Sequence, residues 1–212
     1  MKKRRYRSCW FAVVALVSTA GCVNVSVDRG QLERRYFVLD VTPEKVPAGA
    51  NSAGVLKVSN VRVAPRYDGK SFVYRTDDMS YETDYYNQFL VPPGAMLTGE
   101  VRQALIQANV FHYVVDSDSH LQATHRLEGT VDALYGDFSD KTSPEAVLAV
   151  SFLLSREDAA GPKVVFQKRY QQTVPVKKRT PEALVRGWNE GLETILGSLI
   201  ADLRPAATQA QK

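Results

Sequence analysis

The apolar residues of this chain keep two different periods, and the changes between them mark out its elements. Arg35-Tyr36-Phe37-Val38-Leu39 is a short aromatic and β-branched run that predicts a strand. Residues 42–54, with Pro43, Pro47, Gly49 and Gly54, predict a loop. From Val55 to Val63 both faces are partly apolar, which predicts a strand ended by Pro65. Arg66-Tyr67-Asp68-Gly69 contains the Asp-Gly dipeptide that favours hairpins, so Ser71 to Arg75 reads as a return strand. Tyr81 to Leu90 then sets Tyr81, Tyr85, Tyr86 and Phe89 among polar residues, before Pro92-Pro93-Gly94.

At Met96 the period becomes helical. Leu97, Val101, Ala104, Leu105 and Ala108 trace one face, and Asn109 suits the C-cap. Phe111 to Val115 predicts a strand, with a turn at Asp116-Ser117-Asp118-Ser119. Arg126 to Tyr135 alternates, with Leu127, Gly129, Val131, Ala133 and Tyr135 inward, as in a half-exposed antiparallel strand. Ala146 to Leu154 is apolar on both faces and suits a central strand, and Lys163 to Val174 alternates again. Thr180-Pro181-Glu182 opens a last helix with an N-cap, a proline at the first position and an acid facing the dipole. Its stripe is Leu184, Trp188, Leu192, Ile195, Leu196, Leu199 and Leu203, and Pro205 is expected to stop it, leaving 205–212 as a disordered tail. The economical assembly is an α+β domain over 35–204: a mostly antiparallel sheet with two amphipathic helices packed on one face.

The amino end follows a different rule. Five basic residues (Lys2, Lys3, Arg4, Arg5, Arg7) precede an apolar run from Cys9 through Val17, then small residues up to Cys22. That is the layout of a secretory signal, and the run is shorter than the roughly 20 apolar residues that span a bilayer. Ala20-Gly21-Cys22 resembles the lipobox of bacterial lipoproteins, with Thr19 where leucine is usual. In that family the signal is cut before the cysteine, which is then acylated. Two or three acyl chains anchor stably, at about 0.8 kcal/mol per buried methylene. An ordinary signal cut near Ala20 or Gly21, or an uncleaved anchor, are the alternatives. The expected layout is a signal peptide over 1–21, a tether over 22–34 and the domain after it.

Cleavage changes the charge. The whole chain has 27 Lys+Arg against 23 Asp+Glu, net +4; residues 1–21 carry five of the cations and no acid, which leaves 22 against 23, net −1. The mature cluster Lys177-Lys178-Arg179 reads as a solvated turn, so a nucleic-acid partner is not expected. Cys22 is then the sole cysteine, and no internal disulfide can form.

Little in the sequence points to catalysis. His112, His120 and His125 have no metal-ligand spacing, and neither a serine-hydrolase elbow nor a phosphate loop is present. No catalytic residue, cofactor or metal is expected. The aromatic stretch is the strongest candidate for function. Tyrosine offers large contact area at low entropic cost, which makes Tyr67, Tyr74, Tyr81, Tyr85, Tyr86 and Phe89 candidates for partner contact. The plainer account is that these rings pair across a sheet and cover its core.

Several stretches carry a family likeness. Arg35 to Leu39, then Leu56-Lys57-Val58-Ser59-Asn60-Val61-Arg62-Val63-Ala64-Pro65-Arg66-Tyr67, then Phe72-Val73-Tyr74-Arg75 resemble the ABC-type transport auxiliary lipoproteins, the PqiC-like family. Members open with a Tyr-Tyr-x-Leu-like strand, continue with an Ile/Val strand ending near Pro-x-Tyr, then an x-Val-x-Arg strand. An aromatic segment precedes their first helix, matched here by Tyr85 to Leu90 and Met96 to Leu105. The resemblance implies a non-enzymatic outer-membrane lipoprotein that works with MCE-domain proteins and an ABC transporter, moving lipid or other hydrophobic molecules between membranes. It implies an α+β fold docked as a homo-oligomeric ring. Val23 after Cys22 fits sorting to the outer membrane. The rival readings are an assembly lipoprotein of the lipopolysaccharide-export type and a tethered periplasmic hydrolase.

Overall fold

The computed structural model describes residues 33–41 and 52–209. In chain order these form β1 (Arg35–Phe37), β2 (Ser52–Val58), β3 (Arg62–Val63), a 3-10 turn (Pro65–Tyr67), β4 (Ser71–Arg75), β5 (Tyr81–Phe89), α1 (Pro93–Ala108), β6 (Phe111–Val115), β7 (His125–Asp137), β8 (Glu145–Arg156), β9 (Lys163–Pro175) and α2 (Pro181–Gln209). The nine strands share one sheet.

Strand β7 is its spine. Along one edge it pairs antiparallel with β8 over its whole length, and β8 pairs antiparallel with β9. Along the other edge it receives three short parallel strands in succession: β2 at His125–Leu127, β3 at Thr130–Val131 and β4 at Gly136–Asp137. Strand β6 adds in parallel to β2, β5 adds antiparallel to β4, and β1 adds in parallel to β5.

The fold is α+β, but the sheet corrects the expectation of mostly antiparallel pairing. Five of its eight strand pairings are parallel and three are antiparallel. Alternation tells which face of a strand is buried and is silent on its direction. Asp68-Gly69 does not close a hairpin. The turn at Pro65–Tyr67 steps the chain along β7, and β4 runs the same way as β3. The run from Val55 to Val63 is also two strands. The Val61 N–H leaves the ladder and donates to Thr98 Oγ1 at 2.8 Å. Helix α1 comes so close there that a Cβ on Gly94 would lie 2.6 Å from the Val61 carbonyl oxygen.

A further shift occurs within β7. Its pairing with β8 slips between Val131 and Ala133, so the buried positions beyond it are Leu134, Gly136 and the terminal Asp137. Ala133 and Tyr135, expected inward, are half-buried instead. Asp132, at the slip, accepts hydrogen bonds from Ser151 Oγ at 2.6 Å and Arg169 Nε at 3.3 Å. One extra residue re-aims every side chain after it.

Both helices bury the expected stripes in one core. Leu97, Val101, Ala104, Leu105 and Ala108 of α1 join Leu184, Trp188, Leu192, Ile195, Leu196, Leu199 and Leu203 of α2 against the sheet. Asn109 takes the left-handed C-cap conformation, and Thr180 Oγ1 accepts the Ala183 N–H. Pro205 does not end α2, which runs on to Gln209; residues 210–212 of the expected tail lie outside the described residues. Proline removes one i→i−4 bond and strains the turn, and it is tolerated here four residues from the helix end. Trp188 is buried in this core, where it meets Phe72 edge-on at 5.0 Å and Phe89 at 5.6 Å, while its Nε1 donates to the Tyr135 carbonyl.

His125 is buried, with its ring against Phe111 and its Nδ1 3.0 Å from Thr124 Oγ1. Nε2 has no partner in the described structure. Burial, and secondarily the Arg156 charge, hold its pKa below the usual histidine value. The folded protein therefore takes up this proton less readily than the unfolded chain. Stability should fall as pH drops below about 6.5 towards the folded value. Urea denaturation between pH 7 and 5 reads that slope, and His125→Phe should remove this residue's part of it. Trp188→Ala should cost about 3–5 kcal/mol in the same assay at pH 7.

Candidate functional site

Strand β5 does not follow β4 evenly. Ser71 pairs with Gln88 and Val73 with Thr83, so Asp84, Tyr85, Tyr86 and Asn87 all lie opposite Phe72. The excess chain bulges outward, and Asp84 holds its base. One carboxylate oxygen accepts the backbone N–H groups of Tyr86 (2.8 Å) and Asn87 (2.9 Å). The other accepts Tyr74 OH (2.6 Å) and Asn87 Nδ2 (2.7 Å). Asn87 Oδ1 in turn accepts Arg35 Nε and Nη2 at 3.0 and 2.8 Å, and Arg35 Nη1 reaches Glu182 at 2.5 Å. A polar chain from Tyr74 to Glu182 thus ties the bulge to β4, β1 and the start of α2.

The electrostatics match. Burial disfavours the Asp84 carboxylate, but the donors Tyr74, Asn87 and Tyr86 outweigh it and keep its pKa below the usual range. Burial first, then the hydrogen bond to Asp84 and its charge, push the Tyr74 hydroxyl far above its ordinary value. Tyr74 is neutral and serves the clamp.

Above the clamp the aromatic residues face solvent. Tyr85 is 61% exposed, Tyr86 38% and Tyr36 of β1 54%. The Tyr85 and Tyr86 rings meet edge to face at 5.2 Å, and the Arg34 guanidinium lies 4.3 Å from the Tyr85 ring centre. Exposed Val38 follows Tyr36 at the two-residue spacing, and exposed Leu90 and Val91 follow β5, with Leu90 N–H bonded to the Phe37 carbonyl. Strand β1 pairs with β5 alone among the described strands.

The six aromatic candidates therefore separate. Tyr85 and Tyr86 are displayed on the bulge. Phe89 is in the core against Phe72 and Trp188. Tyr67 is buried and stacks on Tyr135 at 5.9 Å, with its hydroxyl pushed up to about 12, chiefly by burial. Tyr81 is exposed, yet its ring packs edge-on against Tyr135 at 5.8 Å. Tyr74 belongs to the clamp. Tyr36, Val38, Leu90 and Val91 complete the displayed surface and were not singled out in the sequence; the alternation of Tyr36 and Val38 was the available signal. Cys22 lies outside the described residues.

No group of three or more His, Cys, Asp or Glu residues among the described residues is arranged to hold a metal ion. The buried Asp137 pairs with Arg75 and accepts Ser139 Oγ at 2.7 Å. No described helix is long and apolar enough to cross a membrane. Like that of Asp84, the Asp137 carboxyl is held low: burial opposes the charge, and the Arg75 and Ser139 donors outweigh burial.

The contribution of these two carboxylates should be complete above about pH 4 and be lost as pH falls through their depressed folded values. Asp84→Ala should cost about 2 kcal/mol at pH 7 in urea denaturation, because four hydrogen bonds lose their acceptor. It should also flatten the loss of stability below pH 4.

Known proteins share this architecture. Protein XCC0632 from Xanthomonas campestris, a DUF330 protein, superposes with a TM-score of 0.74 at 15% identity, covering 84% of this chain and 99% of its own. An uncharacterized protein of known crystal structure gives 0.63 at 16% identity, covering 81% and 99%. The hypothetical protein CT253 from Chlamydia trachomatis gives 0.50 at 10%, covering 74% and 98%. At such identities the likeness is one of fold. No curated protein sequence matches the chain. The sequence pattern of the ABC-type transport auxiliary lipoprotein component matches residues 37–199. That span takes in β2 to β9, the β5 bulge, α1 and most of α2, and the chain belongs to the family of ABC-type transport auxiliary lipoproteins.

Proposed function

We propose that this protein is a lipid-anchored docking subunit of an ABC-type transport system, with no reaction of its own. The signal over residues 1–21 is removed, Cys22 is acylated with palmitate-like chains, and residues 22–34 tether the domain to the periplasmic face of the outer membrane. The partner is an MCE-domain protein of an intermembrane lipid transport system, met by this chain as a homo-oligomeric ring. Family membership supports the transport role. The lipobox-like Ala20-Gly21-Cys22 and the following Val23 support the anchor and its membrane.

One observation carries the docking role. Tyr85 and Tyr86 stand exposed on a bulge whose base is held by Asp84, with Arg34 against the Tyr85 ring and exposed Tyr36 on the neighbouring β1. A protein serving only its own core has no reason to hold two tyrosines in solvent on a braced bulge and a third on the strand beside it. Tyrosine and arginine are the residues that dominate interface energetics, and a pre-organised loop loses little entropy on binding.

Two measurements test the reading. Cys22→Ser should abolish incorporation of labelled palmitate and release the protein from the membrane fraction. A photo-crosslinker at position 85 should join the chain to the MCE-domain protein, and Tyr85→Ala with Tyr86→Ala should weaken that complex at least tenfold. Retained labelling in the first case, or an unchanged complex in the second, rejects the corresponding half.

A further inference from the structure

The basic cluster Lys177-Lys178-Arg179 has a setting that the docking role does not use. Arg179 is engaged, its Nη2 donating to the carbonyls of Phe138 at 2.9 Å and Asp140 at 2.8 Å. Lys177 and Lys178 are exposed and make no ion pair among the described residues. With Arg186 of α2, equally unpaired, they surround a groove of about 480 Å³. Its walls are Val174, Pro175 and Val176 on the β9 side and Ala183 on the helix. Glu190 is the acid in the lining, so the groove keeps an excess of two positive charges. From Cys22 onward the chain as a whole is net −1.

This volume lies in the range of small-ligand sites, and an apolar wall under unpaired cations suits an anionic amphiphile. We propose that the groove binds the headgroup of an anionic phospholipid. The phosphate sits among Lys177, Lys178 and Arg186, and the first methylenes of the acyl chains lie against Val174, Val176 and Ala183. An acidic peptide fits less well. Pro175 has no N–H, and the Val176 N–H is already given to the Pro144 carbonyl at 2.8 Å, so neither offers a backbone donor to an added strand. The thioether-linked anchor at Cys22 and the β5 surface play no part in this site.

The test uses the full-length lipoprotein in nonionic detergent, titrated with short-chain phosphatidylglycerol and followed by phosphorus NMR. Phosphatidylglycerol should bind, and should weaken as salt is raised. Phosphatidylcholine of the same chain length and inorganic phosphate should each bind at least tenfold more weakly. Replacing Lys177, Lys178 and Arg186 by glutamine should reduce phosphatidylglycerol binding at least tenfold. The pair Lys141→Gln and Lys163→Gln, and the pair Tyr85→Ala and Tyr86→Ala, should leave it unchanged. Should the triple variant misfold, Lys177→Gln with Lys178→Gln, both on the exposed loop, decides the matter with an expected loss of at least threefold. The proposal is overturned by equal binding of the two lipids, by inorganic phosphate binding as tightly as phosphatidylglycerol, by a polyglutamate peptide binding more tightly than either, or by indifference to the loss of the cations.

Discussion

A strand inside a sheet must satisfy backbone groups on both edges, and β7 does so with unequal partners. Its β8 edge is one long ladder with a single slip after Val131, whereas its other edge is filled by three short strands delivered in succession by a single stretch of chain. On that edge the outer strands hang from the first and last of the three. Strand β6 extends the wing started by β2, and β5 with β1 extends the wing started by β4. The gaps between the short strands leave backbone donors off the ladder, and the chain supplies substitutes. The Val61 N–H finds Thr98, while the Ser59 and Ala64 N–H groups return to the Leu127 and Val131 carbonyls. An interrupted edge is affordable only because each interruption is hydrogen-bonded.

Helix α2 then locks the two layers. Trp188 sits where β4, β5 and α2 meet, in contact with Phe72 and Phe89, and its indole N–H is satisfied by the Tyr135 carbonyl. The close approach needed for this packing shows at Gly187, where a Cβ would lie 2.6 Å from that of Ala146. The first turn of the same helix does a second job, since Glu182 receives Arg35 and so braces β1 and, through Asn87, the β5 bulge. The displayed tyrosines and the core are mechanically continuous. A loop held in this way keeps one conformation, which lowers the entropy lost when a partner arrives.

The two ends of the functional picture differ in kind. The β5 surface is aromatic and carries Arg34 against its ring, whereas the groove beside α2 is apolar with unpaired cations. The first suits a protein surface and the second an amphiphile. For a member of an auxiliary transport lipoprotein family, one domain can present both without either sharing residues with the other.

The helices were legible in the sequence because an amphipathic helix writes its buried face at a fixed spacing. Every apolar position of both stripes, from Leu97 to Leu203, is in the core. The family, too, could be read from short local runs. Strand direction could not, because side chains alternate identically in parallel and antiparallel ladders, and Asp68-Gly69 acquired its meaning from β7 some 60 residues later. The same holds for the aromatic segment. Tyr74, Tyr85 and Phe89 are similar in sequence, but the three-residue excess of β5 over β4 sends one to a clamp, one to solvent and one to the core. Local pattern set the helix or strand character of most segments; only the pairing of distant segments decided which rings were left for a partner, because exposure belongs to the assembled sheet and not to the residue.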